Sequence, residues 1–409
     1  MNINDPSQIR DCTSCQMCEA VCPTSAITIV LNQEGFYRPE IEEEKCINCG
    51  LCVKSCYKFD NEINITSNLK TKTLYAGWVK NSEVVRSTTS GGIADILAKE
   101  LISKGFICIG IVYDAKTNCA KAKVASTQDE TDGFRSSKYI QALTGAVFKT
   151  LVKSEKDVKF AVFGLPCHIY AIDRFLKARG TRNKHILIDL YCHGCPTLNL
   201  WSKYINETLT KFHAKNIISV NFRSKVRGWG KFCVETLIST DKGIKNVTTP
   251  LFNDPFYDLF FSDTILNDSC YKCELRSTLE YTDIRLGDFW GPCYVVNHKG
   301  VSGITICTKN AQKIFETLQN QIYYESQLFN NFIPFQSYGK KYSIIQDIRS
   351  KLLNQLADPT IPLTYSQRTY ECSLPIKKRI INLAKKIIKI LPISLESNIK
   401  KTFYLLHHK

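Results

Sequence analysis

Nineteen cysteines punctuate the chain, and eight of them fall into two runs of identical spacing. Cys12, Cys15, Cys18 and Cys22, followed by Pro23, form Cys-x2-Cys-x2-Cys-x3-Cys, and Cys46, Cys49, Cys52 and Cys56 repeat it. Thiolates are soft ligands suited to iron–sulfur clusters. A Cys-x2-Cys-x2-Cys loop turns three sulfurs toward one cube, and the cysteine just past the loop reaches the other. One 4Fe-4S cluster is therefore expected on Cys12, Cys15, Cys18 and Cys56, and a second on Cys46, Cys49, Cys52 and Cys22. Zinc and a disulfide framework are the competing readings. Structural zinc takes four ligands per ion, usually as two separated pairs, whereas these are two evenly spaced quartets.

The elements around the runs repeat as well. Cys46 follows Cys12 by a period of 34. Between the loops, Ala26 to Leu31, Asn32 to Gly35 and Phe36 to Ile41 read as strand, turn and strand. Ile63-Asn-Ile65 mirrors Ile27-Thr-Ile29. Residues 1–70 thus resemble the two-fold pseudosymmetric bacterial ferredoxins, with one departure: Tyr57 follows Cys56 where Pro23 follows Cys22.

The 409 residues suggest two or three domains. Met1 to Arg10 is polar and unlike a secretory signal, and no run of about 18 apolar residues reads as a spanning helix. A reducing cytosol follows from cysteines committed to cluster loops without an export signal. The net charge is +16, yet the first seventy residues hold ten acids and six bases, so the excess sits in the remainder. Nucleic acid is not expected as a partner, because no zinc finger, binding motif or basic stripe with interleaved aromatics is found. Residues 71–360 read as an α/β body: strands at Leu74–Val79, Phe106–Tyr113, Val158–Phe163, Ile186–Tyr191 and Ile304–Cys307, with a helix from Ile93 to Lys104 after the turn Thr88–Gly92. Near the C-terminus, Ile376, Ile380, Ile381, Ala384, Ile387, Ile388 and Leu391 share one helical face among lysines, up to Pro392. The pattern suits either an anionic membrane surface or a helix packed on the body with a solvated Lys face.

The body has its own constellation. Gly164-Leu-Pro-Cys167 and Tyr191-Cys192-His-Gly-Cys195 each follow an apolar strand, and Cys270 and Cys273 lie in a polar loop. Cys108, Cys119, Cys233, Cys293, Cys307 and Cys372 lack such context, and most of them read as small core hydrophobes. With Ser90-Gly-Gly92, Ser136-Ser-Lys-Tyr139, Arg223-Ser-Lys225, Gly228-Trp229 and Asp283 to Gly291, these motifs make residues 1–310 resemble the beta-subunit family of coenzyme F-420 hydrogenases and dehydrogenases, to which 7-hydroxymethyl chlorophyll a reductase is similar. The resemblance implies an FAD enzyme with a third 4Fe-4S cluster, on Cys167, Cys192, Cys270 and Cys273, with Cys195 as a substitute ligand or a neighbour. It also places flavin contacts at Ser90, Gly91, Gly92, Ser137, Lys138 and Tyr139. Each has a plainer alternative: a capping turn for Ser90 to Gly92, a solvated Lys138, a core Tyr139. No Gly-x-Gly-x-x-Gly supports a standard dinucleotide fold. His193 is the candidate for proton transfer, or else a residue that tunes the adjacent cluster. Asp288 and Trp290 read as structural or pocket-lining, and Arg223, Lys225 and Arg227 as an anion-receiving or merely solvated basic loop.

The expectation is an α+β protein with three parts: a two-cluster ferredoxin domain over 1–70, a mixed α/β flavin-binding body over 71–360, and a basic amphipathic segment over 361–409. It reads as an iron–sulfur flavoprotein oxidoreductase that passes electrons between clusters and FAD and exchanges hydride with an organic substrate or a deazaflavin-like cofactor. Relatives occur among surface-polysaccharide enzymes. The alternatives are a non-catalytic electron-transfer subunit and a zinc-bearing body attached to a ferredoxin. Expected partners are a redox protein or a small electron donor or acceptor, in the cytoplasm or at the inner membrane face. The acidic N-terminal unit is expected to dock electrostatically on the basic body.

Overall fold

The computed structural model describes residues 2–3, 11–59, 63, 67–250, 254–294, 297–391 and 395. The N-terminal hairpin is β1 (Ile27–Leu31) and β2 (Tyr37–Ile41), antiparallel with Ile27 opposite Ile41 and Leu31 opposite Tyr37. The expected turn closes it: Asn32 Oδ1 accepts from Phe36 N–H at 2.8 Å, and Gly35 takes φ +80°, a conformation that costs glycine little. Of the mirrored strand at Ile63-Asn-Ile65, Asn64 and Ile65 lie outside the described residues.

The body contains β3 (Thr73–Val79), β4 (Ile107–Asp114), β5 (Cys119–Ala125), β6 (Ala142–Leu143), β7 (Phe160–Phe163), β8 (Ile186–Leu190), β9 (Ala214–Ser224), β10 (Cys233–Thr240), β11 (Gly243–Pro250), β12 (Ile284–Asp288), β13 (Ser302–Ile306) and β14 (Ile322–Ser326). Nine strands form one sheet in the order β14-β3-β13-β12-β8-β7-β4-β5-β6. Its centre, β12-β8-β7-β4, is parallel, and the pairs β4–β5, β12–β13, β13–β3 and β3–β14 are antiparallel. The apolar runs are continuous because helices cover both faces. Cys108, Ala161 and Ile188 pack against Ile93–Ser103 and Lys309–Leu318, and Ile109, Val162 and Leu187 pack against Gly145–Lys153 and Pro166–Arg179. A second sheet, β11-β10-β9, shares an aromatic core with Trp201, Phe222, Phe256 and Tyr257.

Two expected junctions of the chain can be described in detail. The first concerns the seam between the ferredoxin unit and the body, which is apolar and hydrogen-bonded. Met17, Ala20, Val21 and Tyr57 share one core with Phe148, Ile169, Ile172 and Leu275. Gln16 accepts from the N–H groups of Thr144 and Gly145 at 2.6 and 3.0 Å and donates to Ala142 O at 3.0 Å. The hairpin turn docks through Thr197 Oγ1, which donates to Glu34 O at 2.6 Å, and Gln141 Nε2, which donates to Gly35 O at 2.8 Å. Lys272–Asp11, 3.5 Å apart with the lysine 72% exposed, bridges the same seam. An exposed pair of that kind contributes about 0–1 kcal/mol, against about 1.5–3 kcal/mol for one fully buried large apolar side chain, so burial rather than charge holds the units together.

The second is the junction expected at 360. Helices Gln346–Ala357 and Leu363–Ser373 belong to the body, with Leu352, Leu353, Leu356 and Leu363 in the aromatic core. Helix Ile376–Ile390 stands apart: Ile376, Ile380, Ile381, Ala384 and Ile387 are exposed, and its opposite face turns toward the body. Pro392 lies outside the described residues. Among the cysteines read as mostly core, Cys108 and Cys233 are buried, Cys119 and Cys307 are half-buried, and Cys293 and Cys372 are exposed.

Candidate functional site

The two N-terminal cysteine loops repeat in backbone as well as in sequence. Ser14 and Gln16 have φ of 62° and 61°, and Asn48 and Gly50, 34 residues on, have 52° and 74°. These left-handed residues on either side of the middle cysteine curl each loop around its sulfurs. Successive N–H groups in such turns form the concavities that hold anionic clusters. Cys22, Cys46, Cys49 and Cys52 line one small cavity. The Cys18 thiol is pushed up by burial and then by the neighbouring Cys15, Cys12 and Cys56. Both quartets expected from the spacing are therefore brought together. Among the described residues no group of three His, Cys, Asp or Glu side chains is placed to hold a metal ion.

The body quartet is assembled from three places. Cys167 lies in the first turn of Pro166–Arg179, after β7. Cys192 follows β8, and Cys270 and Cys273 flank the end of the short helix Asp268–Tyr271. Burial raises the Cys167 thiol, and the next causes are the proximity of Cys15, Cys192, Cys273 and Cys270. The body quartet thus lies near the first ferredoxin quartet, with Cys15, Cys167 and Cys273 packed against one core. Cys195 stands beside it, with its N–H donating to Cys270 Sγ at 3.4 Å.

Arg276, which gives no signal in the sequence, locks these loops together. It is buried and donates to Cys192 O (3.2 Å), Cys270 O (2.6 Å) and His193 O (2.8 Å). Arg285 and Asp189, both fully buried, bind each other through two hydrogen bonds of 2.8 and 2.5 Å, and Arg285 also bonds the Tyr281 hydroxyl at 2.6 Å. That pair fixes β12 to β8 beneath the cysteines. Tyr57 fills the seam between the two quartets. It is 3% exposed, packs in the core that Cys15, Cys167 and Cys273 adjoin, and its hydroxyl has no hydrogen-bond partner among the described residues. A buried hydroxyl of this kind costs free energy unless an acceptor meets it, and cluster sulfurs are acceptors. The cysteines of the N-terminal loops fit 4Fe-4S cluster binding.

At the carboxyl ends of the parallel strands lies a cavity of about 1170 Å³. Open parallel sheets bind their ligands at that edge. The lining includes Gly164 and Leu165 after β7, Cys192 to Pro196 after β8, and Gly287, Asp288 and Trp290 at and after β12. Its volume exceeds the roughly 300–1,000 Å³ of ordinary ligand pockets, which leaves room for a dinucleotide and a second molecule. Cys192 and Cys195 belong to this wall, so the body quartet and the cavity share a boundary.

The expected flavin residues divide. Ser90, Gly92, Ser137, Lys138 and Tyr139 line the cavity. Gly91 does not: a Cβ there would stand 2.4 Å from Gly77 O, so this glycine serves the packing of its turn on β3. Ser90 Oγ donates to Val301 O at 2.6 Å. These two follow the plainer reading, a turn that opens Ile93–Ser103. Lys138 is buried, and its Nζ donates to the carbonyls of Gly133, Phe134 and Arg135 at 3.1, 3.1 and 2.7 Å, so an ammonium expected to meet a phosphate closes a turn instead. Burial pushes it down to about 7. Thr89 Oγ1 accepts from Ser137 N–H at 2.8 Å, tying the two motif loops together. Tyr139 packs on Phe260 with ring centroids 4.9 Å apart.

His193 also lines the cavity, with Nε2 2.8 Å from Asp263 Oδ1 and Nδ1 3.2 Å from the Tyr342 hydroxyl. An imidazole held between a carboxylate and a phenol has the partners that proton transfer needs. Lys225 bonds the carbonyls of Val85, Ser90 and Lys299 and serves structure, while Arg227 is exposed. Asp288 pairs with Arg223 and accepts from Trp229 Nε1 at 3.2 Å, and Trp290 stacks on Trp229 at 4.0 Å. Both therefore build and line the site.

Comparison with known proteins accords with this geometry. Residues 157–331 match the family that describes the C-terminal part of the coenzyme F420 hydrogenase/dehydrogenase beta chain, and residues 11–58 match the 4Fe-4S dicluster domain. One component of the F(420)H(2) dehydrogenase of Methanosarcina mazei is 22% identical over 320 residues, covering 76% of this chain and 83% of that protein. A chain of the F420-reducing NiFe hydrogenase complex from Methanosarcina barkeri is 19% identical with a TM-score of 0.43, covering 73% of this chain and 90% of its own length.

Proposed function

We propose that this chain, which matches the coenzyme F420 hydrogenase/dehydrogenase beta-chain family over residues 157–331 and a 4Fe-4S dicluster domain over 11–58, is an iron–sulfur electron-transfer protein and itself a flavin-dependent oxidoreductase. The observation that carries the proposal is the sequence of neighbours: Cys15, Cys167 and Cys273 pack against one core, and Cys192 and Cys195 form part of the cavity wall. Electrons would pass between a redox partner, the ferredoxin quartets, a third cluster on Cys167, Cys192, Cys270 and Cys273, and an organic partner in the cavity. A flavin bound there supplies the exchange between one-electron and hydride chemistry.

The chain's own residues do the rest. Thr89 and Ser137 hold the two loops that frame one end of the cavity. Arg276 fixes the loops that bear the cysteines, and His193, beside Asp263 and Tyr342, is the candidate for proton transfer. The organic partner is a deazaflavin or another hydride-exchanging molecule, as the name of the Methanosarcina mazei relative suggests. The exposed apolar stripe of Ile376–Ile390 is compatible with peripheral contact at a membrane surface, and among the described residues no helix is long and apolar enough to cross one.

The test is cofactor stoichiometry on anaerobically purified protein: iron, acid-labile sulfide, zinc and released flavin per chain. About twelve irons, little zinc and one FAD support the reading. About eight irons without flavin after reconstitution reduce the protein to a two-cluster carrier. About one zinc per chain would instead put zinc in the body quartet.

A further inference from the structure

One cation in the cavity wall has half of its hydrogen-bonding capacity unspent. Arg223, near the end of β9, is 4% exposed. Its Nη1 donates to the Asp288 carboxylate and lies 3.4 Å from the Tyr139 hydroxyl. Its plane is covered by Phe232 and Trp290, whose ring centroids are 4.3 and 5.3 Å away. Nε and Nη2 are buried and have no partner among the described residues, and the side chain lines the cavity. A guanidinium cannot relieve this by losing its charge. Nε and Nη2 form one edge of the fork, whose two parallel N–H bonds match the two oxygens of a carboxylate or a phosphate.

The surrounding charges favour the same class of ligand. Five acids line the cavity among the described residues: Asp95, Asp258, Asp263, Asp288 and Glu371. Asp95 is held by Arg135 at 2.7 Å, Asp258 and Glu371 by Lys386 at 2.8 and 3.0 Å, and Asp288 by Arg223, while Asp263 faces His193 Nε2 at 2.8 Å. Lys378 and Lys385 of helix Ile376–Ile390 also line the cavity and have no acidic partner among the described residues. The paired acids leave the positive groups to set the field.

We propose that the Nε/Nη2 edge of Arg223 binds an oxyanion, a carboxylate or a phosphate, carried by the organic partner, with Lys378 and Lys385 as the cationic rim it enters past. This assignment rests on the cavity being the substrate site, not on flavin being present. The helix that supplies the rim lies beyond residues 157–331, which match the family, so selection of the anionic partner would be particular to chains with this C-terminal segment.

The test titrates cofactor-loaded, full-length protein with inorganic phosphate and, separately, with sodium benzoate, followed by calorimetry, with flavin per chain measured on every sample. Wild type binds at least one probe below about 10 mM. R223K and R223Q weaken that binding by about tenfold or more, because neither offers the two-pronged edge. R227Q, a change at an exposed residue outside the cavity lining, keeps the affinity. A crystal soaked in the tighter probe puts an oxyanion on Nε and Nη2, which decides the matter even if the Arg223 variants do not fold. Phosphate preference assigns a phosphorylated partner, and benzoate preference assigns a carboxylate. No binding by wild type, equal binding by R223K, density elsewhere, or loss of flavin in R223K each overturns the assignment; in the last case the edge holds the cofactor. A chain that binds anions at Arg223 yet carries no flavin would sink the flavin reading and leave this one standing.

Discussion

The two N-terminal cysteine loops share a sequence spacing and a backbone, yet they live in opposite surroundings. Met17 and Leu51 occupy the same place in the 34-residue repeat; Met17 is 1% exposed in the seam and Leu51 is 41% exposed to solvent. Tyr57 and Pro23 are equivalent in the same way. The tyrosine is buried against the body, and the proline is exposed. Burial raises the Cys12, Cys15 and Cys18 thiols. At Cys22 burial also raises the thiol, but hydrogen bonds from Thr24, Ala26 and Ile27 outweigh it and lower the group. A duplicated motif has thus become an inner station and an outer one. The inner quartet is wired to the body through Cys15. The outer quartet, with Ile47 64% exposed beside it, is the face a redox partner can approach.

Removing a ligand from each loop is the harshest trial of this asymmetry. C15A and C49A should each lower iron by about four atoms per chain. C15A should slow electron delivery from an external one-electron donor to the body by about 100-fold or more, the cost of leaving a gap in the route. C49A should slow delivery from a protein donor but leave a small chemical reductant effective. Stopped-flow reduction reads both, and equal behaviour of the two variants would abolish the distinction between stations.

Packing gives the next largest contrast. M17A should cost about 2–5 kcal/mol, as for other large buried side chains cut to alanine, whereas L51A should stay within about 0.5 kcal/mol, as for a surface site. Urea unfolding of both variants measures the difference. On the inner side, R276M should destabilise by about 4 kcal/mol, since three carbonyls lose their donor at roughly 1–3 kcal/mol each. The same change should also broaden the signal of the body cluster alone. The smallest effect belongs to Tyr57. Y57F keeps the packing and removes only the hydroxyl, so the proposed body cluster, if the hydroxyl meets it, should lose one stabilising hydrogen bond to its reduced form. A one-electron potential about 60 mV lower is the equivalent of about 1.4 kcal/mol. An EPR-monitored titration that finds the outer cluster shifted instead would place the hydroxyl at the wrong station.

Much of the fold was legible because its signals are local. The strand–turn–strand at 26–41, the helix after Gly92 and the apolar strands at 107–114, 160–163 and 186–190 follow from short periodicities, and each formed within a residue or two of its expected place. The repeated backbone of the two N-terminal loops was legible because the Cys-x2-Cys-x2-Cys-x3-Cys spacing is a property of neighbours along the chain. The β9–β11 sheet was not anticipated, because its residues alternate irregularly and β9 pairs with β10 through register shifts. Arg276 was silent, since its partners are main-chain carbonyls 83 and 84 residues earlier and one 6 residues earlier. Most residues expected to contact flavin line the cavity, but which of their donors were free was hidden: Lys138 and Ser90 bond carbonyls locally instead.

Soft-ligand quartets on a duplicated loop, followed by a parallel-centred body, are written in the order of the residues, because thiolate spacing and apolar periodicity are properties of neighbours along the chain. Which quartet faces inward, which cysteines from three distant loops meet, and which side of the C-terminal helix turns to the cavity were settled only by the folded chain. Those outcomes depend on where buried apolar area and unpaired donors end up once every element has packed.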